Sequence, residues 1–169
     1  SLFCTNILPK ADYDVAVMGL PPAELRARRV QAADLSGVSS GGRCLATTLL
    51  LTYVAREPGT RALVAQVQSW LHTWHEHPEL HHRLRLGWRK VRERLARLGP
   101  RARWAAVRGP IGALQLALQA LGWQATEPDA WVGTDGAQWQ VTELDTTSIS
   151  AQLRDDIRAQ LWRDAARHG

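Results

Sequence analysis

Residues 80–98 read LHHRLRLGWRKVRERLARL. Leu80, Leu84, Trp88, Val91, Leu95 and Leu98 are spaced by four, four, three, four and three. That alternation fits one face of an α-helix and neither face of a strand. The spacing predicts a helix opened by Pro78 and stopped by Gly99-Pro100, carrying a packed apolar seam. Basic residues crowd both sides of the seam. Arg83, Lys90, Arg94, Arg97 and Arg101 follow one flank, and Arg85, Arg89 and Arg92 follow the other.

Working upstream, Thr60 is expected to cap a helix running to about His75, with Leu63, Val67, Trp70, Leu71 and Trp74 on one face. Glu57-Pro58-Gly59 breaks the chain before it. Residues 43–56 read as a helix apolar nearly all round, hence buried, with a buried strand as the rival because of its threonines. Pro21-Pro22 opens a helix to about Leu35, and the SGVSSGG stretch at 36–42 reads as a loop. Downstream, Pro110 to Leu121 places Ile111, Leu114, Leu118 and Leu121 on one side of a short helix. After Gly122 the pattern shortens into strands, with Gly133-Thr134-Asp135-Gly136 as a hairpin turn between Trp131-Val132 and residues 138–141. A last helix is expected from near Ser148, with Ile149, Leu153, Ile157 and Leu161 facing inward.

The predicted fold is therefore mainly α, about six helices, with one small antiparallel β meander or hairpin near residues 123–142. Residues 1–108 form a helical region carrying the arginine-rich helix. Residues 109–169 add a helix, the tryptophan-rich hairpin and a C-terminal helix. The two parts are read as one compact unit and as a piece of a longer polypeptide. A chain of 169 residues that is 45% apolar supports a real core. The longest nearly apolar run, 44–55, is too short to span a bilayer. Cys4 and Cys44 form no CxxC pair and define no disulfide framework.

The net charge is +5, and its distribution is the sharper signal. Between Arg83 and Arg108 nine arginines and Lys90 stand against one acid, Glu93. A block this dense favours an anionic partner: nucleic acid, a membrane surface or an acidic protein. The alternative is a solvated helix face. Guanidinium forks bind phosphate oxygens bidentately, which tracks a backbone without reading sequence. The candidate nucleic-acid contacts are Arg83, Arg85, Arg89, Lys90, Arg92, Arg94, Arg97, Arg101, Arg103 and Arg108. Trp104, between Arg103 and Arg108, is a candidate base-stacking platform, with packing against the next helix as its rival. Trp123, Trp131 and Trp139 recur every eight residues. They are core if covered and a partner-docking patch if left open.

Catalytic constellations are expected to be absent, with no metal or cofactor. HTWHEHPELHH at 72–82 concentrates histidines, but Pro78 interrupts the second i,i+4 pair and the order is not HExxH. A solvated corner between two helices is the reading. Asp12-Tyr13-Asp14 lacks the paired aspartates of a two-metal site, and Asp155-Asp156 point about 100° apart on a helix. No nucleophile elbow or phosphate loop occurs.

Three stretches together resemble the region just after the palm in reverse transcriptases of LINE-like, non-LTR retroelements of the protist type. ILPKADYDVAVMG at 7–19 is similar to an ILPxxxYGxxVxG segment, with Asp14 where that family has glycine. Residues 43–58 are similar to a buried helix ending in Asp-Pro or Glu-Pro. GPIGA at 109–113 through Leu121-Gly122-Trp123 and Trp131 is similar to a GPxGAL…LxxxGW…W unit, and Leu161-Trp162-Arg163 also fits. The resemblance implies a thumb or connection region that grips a template–primer duplex, RNA or DNA, by its backbone. The parent would be an RNA-directed DNA polymerase whose palm aspartates have no counterpart here, so this chain is expected not to be an enzyme. The expected function is a non-catalytic nucleic-acid-binding module. The alternative is an accessory subunit docked in a larger protein assembly by its tryptophan-rich and helical surfaces.

Overall fold

The computed structural model describes residues 21–35 and 57–168. Six α-helices and one hairpin are found among them: α1 (Pro22–Leu35), α2 (Pro58–Glu76), α3 (His81–Ala96), α4 (Pro100–Ala105), α5 (Pro110–Leu121), β1 (Ala130–Val132), β2 (Gln138–Gln140) and α6 (Thr146–His168). The fold is mainly α with a small two-stranded antiparallel sheet. The number of helices matches the expectation but the set differs. The short α4 was not foreseen, and the helix expected over 43–56 lies outside the described residues, as do the 36–42 loop and the 7–19 segment.

Local chemistry explains the helix ends. Pro78 opens a 3-10 turn, Pro78–Leu80, and the α-helix proper begins at His81. The cap of α2 is Glu57 rather than Thr60. Glu57 is extended, Pro58 takes the first helical position, and the Glu57 carboxylate accepts from the backbone N–H groups of Gly59 (3.0 Å) and Thr60 (2.7 Å). The Thr60 hydroxyl donates to the same carboxylate at 3.0 Å. Gly59 and Thr60 are the second and third helical positions, whose N–H groups have no partner within the helix, and Pro58 at the first has no N–H to satisfy. The Arg29 guanidinium of α1 donates its Nε–H to Glu57 at 2.5 Å, tying α1 to the start of α2. Glu57 is 1% exposed, so this carboxylate is held entirely by protein donors. Glu57→Ala is expected to cost roughly 2–3 kcal/mol, the sum of a lost cap and an abandoned guanidinium. Urea unfolding checks this; a loss under about 0.5 kcal/mol, the scale of a neutral surface change, would contradict it.

At the far end of α5, Gly122 adopts φ 90°, which only glycine takes without strain. It lets Trp123 N–H return to the Leu118 carbonyl at 2.9 Å, closing the helix and aiming Trp123 inward. The hairpin forms as expected at Gly133–Gly136, with Trp131 paired directly to Trp139. Of the expected meander or hairpin, the hairpin is what forms, extended by one isolated bridge, Gln124 to Val132.

The core is organised by tryptophan. Ring centroids link Trp74 to Trp70 (6.2 Å), Trp70 to Trp88 (5.0 Å), Trp88 to Trp131 (6.4 Å), Trp131 to Trp123 (6.5 Å) and Trp123 to Trp139 (6.0 Å). Six of the eight tryptophans thus form one run crossing α2, α3 and the hairpin. Leu114, Leu118 and Leu121 of α5 and Ile149, Leu153, Ile157 and Leu161 of α6 close around it. An indole N–H buried without a partner is costly, and of this run Trp139 Nε1 alone is buried without one among the described residues. Trp70 donates to Pro128 O (2.8 Å), Trp88 to Ala125 O (3.0 Å) and Trp131 to Glu127 O (3.1 Å). Three core tryptophans therefore fasten the segment 125–129, which has no regular structure of its own.

Asp145, just before α6, accepts the Ser148 N–H at 2.6 Å. That backbone hydrogen bond holds its carboxyl below the ordinary aspartate value. The cap is then fully present above the ordinary aspartate pKa and is lost as pH falls through the depressed one. The Ser148 amide proton shift is expected to titrate with a midpoint below that of an unstructured aspartate. A midpoint at the ordinary value would contradict the cap.

Candidate nucleic-acid interface

The arginine-rich helix α3 packs its Trp88 and Leu95 against α5. The buried Gln115 amide donates to the Trp88 carbonyl at 2.9 Å and fixes that contact. With the seam turned inward, the two basic flanks meet different surroundings.

On one flank, Arg85 donates through both terminal amino groups to Asp129, at 2.9 and 2.5 Å, and lies 5.2 Å above the Trp74 ring. The Asp129 hydrogen bonds raise the Arg85 guanidinium above its ordinary pKa. Arg89 donates to Glu127 at 3.2 and 3.3 Å. Arg85 and Arg89, expected as phosphate contacts, are therefore committed to carboxylates of the same chain. The cause is the loop held by Trp70, Trp88 and Trp131, which carries Glu127 and Asp129 to this side of α3.

On the other flank, Arg83, Lys90 and Arg97 are exposed and have no hydrogen bond or ion pair among the described residues. Arg94 is exposed and makes only a long contact, 3.4 Å, to Ala106 O. At 100° per residue these four positions fall within an arc of about 60°, and from Arg83 to Arg97 they extend about 21 Å along the axis. Arg92, on the flank of Arg85 and Arg89, and Arg101 and Arg108, beyond the end of α3, are likewise exposed and unpaired among the described residues. Glu93 pairs with none of these cations.

Arg103 has a different task. Its Nε–H donates to Leu95 O (3.0 Å) and Leu98 O (2.9 Å), satisfying the last carbonyls of α3 and setting the turn into α4. Trp104 is half-buried against Leu95, Val107, Ala113 and Leu116, so of its two readings, stacking platform and packing against the next helix, packing is what is found. Trp123 and Trp131 are fully buried and do not form a docking patch; Trp139 is half-buried beside them. Trp131 stacks against Trp88 of α3 and meets Trp123 edge-on, so the three join the core run. Among the described residues the aromatic side chain left open is Trp162 of α6, 61% exposed, which the inward-facing pattern of that helix passes over.

The histidines sit where α2 gives way to α3. His75 places Nδ1 2.7 Å from Leu71 O and Nε2 3.0 Å from Thr142 O. His81 stacks on Trp74 at 3.8 Å, with Nε2 2.7 Å from Trp74 O. Among the described residues no three His, Cys, Asp or Glu side chains are placed to hold a metal ion. Asp155 faces Arg158 at 3.5 Å while Asp156 accepts the Trp123 N–H at 2.6 Å, so the adjacent aspartates point to separate neighbours. Asp12 and Asp14 lie outside the described residues. Among the described residues no helix is long and apolar enough to cross a membrane. No protein-family model, curated protein or solved structure matches the chain.

Proposed function

We propose that this chain is a non-catalytic nucleic-acid-binding module that holds a duplex backbone along Arg83, Lys90, Arg94 and Arg97, and that it derives from the post-palm region of a non-LTR retroelement reverse transcriptase. The observation that carries the reading is the asymmetry of α3. On one flank Arg85 and Arg89 are taken up by Asp129 and Glu127, and the other presents a row of exposed cations that form no ion pair among the described residues. Guanidinium and ammonium groups in a row match a line of phosphates, and none of them is positioned by a partner to read one base. Affinity then depends on charge and little on sequence.

The test is fluorescence anisotropy with two duplexes of equal length and unrelated sequence. Their affinities are expected to agree within about threefold, since phosphate contacts carry no sequence information. A preference above about tenfold, the size of one good base contact, would overturn the backbone reading.

The exposed Trp162 favours a second reading, an accessory subunit docked on protein through α6. A photo-crosslinking residue at 162, introduced into the chain in its native source, separates the two. A protein adduct supports docking, and adducts confined to nucleic acid support the first reading.

A further inference from the structure

A cleft of about 350 Å³ opens where the C-terminal half of α3 meets α4, α5 and the residues after Gly122. Its polar lining consists of Arg92, Glu93, Arg103, Gln115, Gln119 and Gln124. Two of these side chains are fixed in advance. Gln115 is buried and bonded to the Trp88 carbonyl, and Arg103 is bonded through Nε to the end of α3. Fixing Nε orients the guanidinium plane and leaves its two terminal amino groups with no partner among the described residues. Arg92 is exposed and unpaired.

The chemistry of this lining is specific. Three primary amides each offer a donor and an acceptor, which is what the free edge of a nucleobase requires. Two guanidinium groups suit a phosphate and stack on planar rings. Glu93 can accept from an exocyclic amino group. The volume lies at the lower end of small-ligand pockets, about 300–1,000 Å³, and so suits one small planar group rather than a helix or strand. The cleft and the Arg83–Arg97 row flank the same helix, whose width with side chains is about 10 Å. A strand end leaving the row has only that width to cross.

We infer that this cleft receives a single unpaired nucleotide at the end of the strand held by the cation row, the amides meeting its base and Arg92 and Arg103 its phosphate. The inference rests on the backbone-binding reading above. The test compares a blunt duplex with the same duplex carrying a short single-stranded overhang, for the wild-type chain and for the double variant Gln119→Ala/Gln124→Ala. Both substituted side chains are exposed, and neither is part of the core. Wild type is expected to bind the overhang duplex about tenfold more tightly, the scale of one satisfied base. The double variant is expected to bind both duplexes as wild type binds the blunt one, with an unchanged salt dependence. Equal wild-type affinities, or a preference that survives in the double variant, would overturn the cleft assignment while leaving backbone binding intact. Failure to bind either duplex would overturn the backbone reading, and this one with it.

Discussion

A chain carrying Lys90→Gln, Arg94→Gln and Arg97→Gln is expected to bind duplex several-hundredfold more weakly than wild type at about 0.1 M salt. Each neutralised phosphate contact removes about 0.9 from the log–log salt slope, so three remove about 2.7. At 0.1 M that slope corresponds to a factor of roughly 500 in affinity. Because the three side chains are exposed and make no ion pair among the described residues, folding stability should change by less than about 0.5 kcal/mol. Arg85→Gln is the matched control. It breaks the bond to Asp129 and the contact over Trp74, so it should lower stability by about 1 kcal/mol and leave the salt slope alone. Anisotropy titrations across a salt series, with urea unfolding alongside, measure both quantities. An unchanged slope in the triple variant would remove the row from the interface.

Trp88→Ala is expected to cost about 3–5 kcal/mol, a large share of the 5–15 kcal/mol typical of a whole domain. Trp88 is 0% exposed, with Trp70 at 5.0 Å and Trp131 at 6.4 Å. Its removal opens a cavity in the middle of the tryptophan run. It also strands the Ala125 carbonyl, one of three anchors of the 125–129 segment. Glu127 and Asp129 are on that segment, so their grip on Arg89 and Arg85 should loosen as well. Trp88→Phe keeps most of the ring and loses the N–H, so roughly 1–2 kcal/mol is expected. A loss below about 1 kcal/mol for Trp88→Ala, well short of a core cavity, would contradict the central place given to this side chain.

The helical pattern was legible wherever the apolar period was long and punctuated. Pro22–Leu35 and Pro110–Leu121 end where their proline and apolar signals say. The seam of Leu84, Trp88, Val91 and Leu95 does turn inward, because four apolar positions in phase leave α3 one way to bury them. The cap of α2 was misjudged because Thr60 is the usual capping type, while the buried Glu57 is selected by Arg29, 28 residues earlier. The short α4 was missed because six residues give no period to read. Its start depends on Pro100, which also reads as a stop.

The candidate site was half legible. Which residues are basic, and that they lie on two flanks, follow from spacing alone. Which flank stays open does not, because it depends on where a loop 38–44 residues downstream comes to rest. The acids of TEPD at 126–129 are visible in the sequence. Their return to α3 is dictated by indole N–H groups seeking carbonyls in the core, a contact no local pattern encodes. The same limit applies to Trp104 and Trp162. One is half-covered and the other open because of how α4 and α6 pack, and neither fate follows from the residues beside them.

The most direct measurement is the salt dependence of wild-type binding to a plain duplex. Four engaged cations, Arg83, Lys90, Arg94 and Arg97, give an expected slope of about −3.6 in log K against log salt concentration. A slope shallower than about −1, or no binding at low salt, would mean that α3 holds no phosphate row.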